Sequence, residues 1–132
     1  MAARIIAVLA AGLAVAWFAI GVRQARDTDR ATDIITSATP LSPVRARDAQ
    51  SLLRAAKQLN PDAAVDLLGA QLALRQGNRP RARSIARSVT RSEPQNIEAW
   101  LAYGAASSND RAAFVFALRH LNALAPAVTP GR

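Results

Sequence analysis

Arg79, Arg83, Arg87 and Arg91 recur at four-residue spacing, and Arg75 and Arg81 extend the row. No acid occurs between Arg75 and Ser92. On a helix this spacing sets one guanidinium above the next. Guanidinium forks hold oxyanions bidentately. Such a ridge suits phosphates, anionic lipid headgroups or an acidic polysaccharide. The plainer alternative is a solvated helix face. Nucleic acid is not expected as a partner, because no exposed aromatics interleave with the basic residues.

Nothing else on the chain points to catalysis. His120 is the only histidine. It has no second ligand at metal spacing and reads as a structural or solvent-exposed residue. Asp27, Asp29 and Asp33 fall in one polar stretch, where capping and solvation account for acids. No Gly-rich phosphate loop, nucleophile elbow or zinc-protease motif occurs. There is no cysteine, so disulfides and thiolate chemistry are excluded. The expectation is a non-enzymatic protein without cofactor or metal.

The row of arginines needs a helix to carry it, and the composition supplies helices. Twenty-three alanines follow Val22, and alternating β-branched stretches are lacking. Alanine has the best helix propensity and lets helices pack closely. Ahead of that region, Ile5–Val22 reads IIAVLAAGLAVAWFAIGV without a charge, between Arg4 and Arg23. As a helix it would span roughly 27 Å, close to the hydrocarbon thickness of a bilayer. The run continues past a signal-peptidase-like Ala14-Val15-Ala16, which favours an uncleaved single-pass anchor; a cleaved, secreted product is the alternative. Flanking charges (Arg4 on one side; Arg23, Arg26 and Arg30 on the other) do not settle which side of the membrane carries the domain.

Downstream, Asn60-Pro61, Glu93-Pro94 and Ala125-Pro126 recur at 33 and 32 residues. A period of this size marks a repeat array. Other positions keep phase with it. Ala49, Ala82 and Phe114 lie twelve residues before each proline. Leu53, Ala86 and Leu118 lie eight before, and Ala56, Val89 and Leu121 lie five before. Their offsets share one helical face. Helices are therefore expected at about 43–59, 79–92 and 110–124, with partners over 62–76 and 96–108. In 62–76, Ala64, Leu67, Leu68, Gln71, Leu72 and Leu74 lie along a mostly apolar face; in 96–108, Ile97, Trp100, Leu101 and Gly104 do. Ser42-Pro43 and Asn60-Pro61 read as caps followed by proline at the first helical position. Gly77-Asn78 and Asn109-Asp110 read as the turns between paired helices.

In these features the chain resembles the tetratricopeptide repeat family. Trp100 and Gly104 have the family's four-residue separation. Ala82 with Pro94, and Ala49 with Pro61, match its second-helix alanine and closing proline. Gly77-Asn78 matches its inter-helix turn. The units are one or two residues short, and Phe114 stands where a small residue is usual. The resemblance implies an all-α domain, a short α-solenoid of about three helix–turn–helix units, which follows the N-terminal transmembrane helix expected from Ile5–Val22. Residues 1–23 would be the anchor. Residues 24–42 would be a juxtamembrane helix and linker, with Asp27–Ala38 as first helix of a degenerate first repeat. The repeats would occupy 43–126, and 127–132 a disordered tail. The family's function implies a scaffold whose concave groove grips a partner's peptide or tail. In register, Gln71, Arg75, Glu98 and Ser108 would line that groove. A membrane-attached accessory subunit of envelope polysaccharide or lipid-linked glycan assembly is the other reading, with the Arg79–Arg91 row meeting the polymer.

Overall fold

The computed structural model describes residues 17, 21–23, 25–59 and 62–124, and among them every regular element is helical. Helical residues 25–36 form α1. They are followed by α2 (Pro43–Leu59), α3 (Ala63–Arg75), α4 (Arg79–Ser92), α5 (Ile97–Ala106) and α6 (Arg111–Leu124). Helices α2 to α6 lie within two residues of their expected bounds, and α1 ends two residues before the expected Ala38. Ile5–Val22 falls almost wholly outside the described residues, as does 127–132. Among the described residues no helix is long and apolar enough to cross a membrane.

Local chemistry explains the boundaries. The Arg45 N–H donates to Ser42 Oγ at 3.3 Å, with Pro43 opening α2. Gly77 takes φ +73°, the left-handed conformation that ends α3, and the Asn78 side chain then accepts the Arg81 N–H to start α4. Asp110 accepts the Ala113 N–H at 3.1 Å and starts α6. Two caps differ from expectation. Asn60-Pro61 lies outside the described residues, and α3 is capped by Asp62, which accepts the Ala64 N–H. Asn96 is not in α5 but caps it, through the Ala99 N–H.

From α2 onward the helices pack in chain order, each on the next, and α3 also touches α5. Ala31, Ile35, Ala49, Leu53, Ala56, Val65 and Leu72 join α1, α2 and α3. Ala70, Ala86, Trp100, Tyr103 and Ala117 join α3 through α6. Alanine sets the close approach: a methyl on Gly104 would stand 3.5 Å from that of Ala117.

The last two helices depart from the expected pattern. Phe114 and Leu118, in phase with the buried Ala49, Ala82, Leu53 and Ala86, remain 37% and 42% exposed. Ile97 and Leu101 are exposed as well, and α5 instead buries Ala99, Trp100, Tyr103, Gly104 and Ala106. In α3, Ala64 and Gln71 face solvent, while Val65, Ala70 and Ala73 are buried. Periodicity marks the face a neighbour would cover. It does not supply the neighbour.

Candidate functional site

The arginine row divides into two pairs. Arg79 Nη1 donates to Ser108 Oγ and, at 3.1 Å, to Asn109 Oδ1. Arg83 Nη1 pairs with Asp110 Oδ2 at 3.0 Å. Both guanidiniums thus tie α4 to the turn joining α5 and α6. Arg79 stays exposed and Arg83 partly so, and of the two only Arg83 has its charge met by a carboxylate. Arg87 and Arg91, one turn further on, are exposed and have no carboxylate partner among the described residues.

Arg87 and Arg91 border a cleft of about 430 Å³ between α4, α5 and α6, whose floor and walls include Thr90, Trp100, Tyr103, Ala113 and Phe116. Trp100 is 6% exposed. Its Nε1–H donates to the Pro94 carbonyl at 2.8 Å, so its polar edge is satisfied and its ring serves as apolar surface. Phe116 and Tyr103 meet that ring edge-on at centroid distances of 5.7 and 6.1 Å. His120 stacks on it at 4.0 Å and 16°, and its Nδ1 lies 3.0 Å from the Phe116 carbonyl. His120 is therefore a packing residue. No group of acidic, histidine or cysteine side chains able to hold a metal occurs among the described residues.

Three of the four groove candidates, Gln71, Glu98 and Ser108, are exposed, and Arg75 is half-buried. Ser108 accepts from Arg79. Arg75 is held internally: its guanidinium donates to the carbonyls of Ile34 (3.1 Å), Ser37 (2.9 Å) and Thr39 (2.7 Å), and to that of Ile35. Those groups include carbonyls at the end of α1, where a helix leaves its last acceptors without backbone donors; that of Ile34 also accepts the Ser37 hydroxyl at 3.1 Å. Arg75 is thus a clamp between α1 and α3, a role its groove register did not indicate. The cleft itself went unread in the sequence. A signal was present: four of the six aromatic residues lie between positions 100 and 116.

Among the described residues, Asp110 has a carboxyl shifted by the fold. The Ala113 N–H holds its carboxyl below the usual carboxylate range, Arg83 adds to this, and partial desolvation opposes both. A lowered folded value stabilises the fold above the unfolded carboxylate range, and this contribution disappears as pH falls through the folded value. Acid titration followed by circular dichroism checks this. Asp110→Asn, which keeps a capping side chain, flattens the acid limb assigned to α6. An unchanged acid limb contradicts the assignment.

Comparison with protein-family models, with curated proteins and with solved structures gives no match to this chain.

Proposed function

We propose that this protein is a non-catalytic, membrane-tethered helical-repeat scaffold, similar in plan to tetratricopeptide proteins, that docks a protein partner. One observation carries the reading: the terminal hairpin keeps an apolar face open. Gly104 against Ala117 and Trp100 against His120 define the seam between antiparallel α5 and α6. Helical geometry puts Tyr103 and Phe116 on the α4 side of that seam, and Ile97, Leu101, Phe114 and Leu118 on the opposite side. These four side chains are 37–55% exposed. An array built by stacking hairpins covers such a face with the next helix, and the occupant we assign is an amphipathic helix of another protein. The tether rests on Ile5–Val22 and on the length of that apolar run. The glycan-assembly reading has less support, since two of the four guanidiniums in its row are engaged internally.

A photoreactive side chain at Leu101, in cells expressing the full protein, is expected to yield one discrete protein adduct in the membrane fraction after alkaline carbonate. The same group at Ser88, on the exposed side of α4, should not. Adducts of equal yield at both positions overturn the docking face. Recovery of the chain in the soluble fraction overturns the tether alone.

A further inference from the structure

We propose that the cleft between α4, α5 and α6 binds an acidic peptide segment, with its carboxylates on Arg87 and Arg91 and an adjacent apolar side chain against Trp100, Tyr103 and Phe116. This site lies on the opposite side of the α5–α6 seam from the open apolar face, and it stands or falls independently of that face.

The helix stack supplies an internal comparison. A first cleft, about 300 Å³, lies between α2, α3 and α4 and is lined by Lys57, Asp66, Gly69 and Leu72 among others. It contains its own carboxylate: Lys57 Nζ is paired with Asp66. The second cleft is built one unit later from α4, α5 and α6. At the 33-residue spacing of Pro61 and Pro94, Ala99 stands at the repeat position of Asp66, so the second unit carries no acid where the first cleft has its own. The second cleft has two cations and no acid in its lining. The first cleft is lined by Arg54, Lys57 and Arg81 with Asp66 as its acid, so one of its cations is paired from within. In the second, neither guanidinium has a carboxylate partner among the described residues, and both are left to a ligand.

The shape of the cleft selects among anions. An anionic bilayer or a linear polysaccharide engages a long, flat cationic row, and this row ends after one turn because Arg79 and Arg83 are held by Ser108, Asn109 and Asp110. What remains is concave, with an aromatic floor and two guanidiniums about 5–6 Å apart at their Cβ atoms on the rim. Its volume falls in the range of pockets that enclose small ligands or a few side chains. A peptide offers a carboxylate and an apolar group within one or two residues of each other. Tryptophan, tyrosine and arginine are also the side chains that dominate binding energy at protein interfaces.

The test uses the full chain in a non-ionic detergent, with Trp17→Phe so that Trp100 alone reports by fluorescence. The probe is acetyl-Glu-Glu-Phe-Glu-Glu-amide. Saturable binding is expected, weakened about tenfold or more by replacing the probe's glutamates with glutamines, or its phenylalanine with glycine. Arg87→Gln with Arg91→Gln should weaken it to a similar extent with unchanged helicity, both side chains being exposed. Arg45→Gln with Arg47→Gln removes the same charge from α2 and should leave binding unchanged. Affinity should fall as salt rises. The proposal is overturned if no saturable binding occurs, if the glutamine probe binds equally, or if both double variants weaken binding alike. It is also overturned if phosphatidylserine vesicles or alginate bind at Arg87 and Arg91 while the peptide does not.

Discussion

Trp100→Ala destabilises the terminal hairpin by about 3–5 kcal/mol, the range for truncating a large buried aromatic residue. Three terms act together. The ring is 6% exposed and packs in one cluster with Ala70, Ala86 and Ala117, so its removal leaves a cavity among residues too small to fill it. Its contacts with Tyr103, Phe116 and His120 vanish. The Pro94 carbonyl also loses its indole donor. Trp100→Phe restores much of the packing but not the hydrogen bond, and should fall between the two. Because stability in a stacked array is summed over neighbours, the loss should concentrate in α5 and α6. Urea unfolding gives the magnitude, and amide exchange gives its distribution. A loss under about 1 kcal/mol, within the range of surface substitutions, contradicts the core role.

Helix positions were legible because their signals are local. Prolines at 33 and 32 residues, the Gly77-Asn78 turn and the Asp110 cap all act within a few residues of their own position. The apolar phase was legible for Ala49, Leu53, Ala56, Ala82, Ala86 and Val89, all of which are buried. It failed at Phe114 and Leu118 because burial needs a second element, and among the described residues none packs on that face of α6. A helical wheel carries the same information for a covered face and an open one.

The site was less legible because its contacts span long stretches of chain. Arg79 and Arg83 find their partners 27 to 30 residues away. Four-residue spacing shows that the arginines share a face, yet it does not distinguish the two that brace a turn from the two that border a cleft. Arg87 and Arg91 acquire their setting only when α6 brings Phe116 beside Trp100. The family register likewise assigns Arg75 to a groove by position alone, whereas its partners lie 36 to 41 residues upstream.

Arg75→Ala is expected to detach α1 from the stack, at a loss of about 2–4 kcal/mol, since hydrogen bonds to charged groups contribute about 1.5–3 kcal/mol each and these share one guanidinium. The last carbonyls of a helix have no partner within it, and a cation there also complements the helix dipole. Arg75 meets both needs, with donors reaching Ile34, Ile35, Ser37 and Thr39. The apolar seal beneath it is small: Ala31 and Ile35 are the residues of α1 buried in the first core. Losing the clamp should therefore raise amide exchange across residues 25–36 while α5 and α6 keep their protection. Arg75→Lys keeps the charge near the dipole but cannot span four carbonyls with one ammonium, so it should recover less than half of the lost protection. Unchanged exchange in α1 after Arg75→Ala would show that Ala31 and Ile35 hold the helix unaided. Full recovery by lysine would show that charge alone, and not the planar fork, makes the attachment.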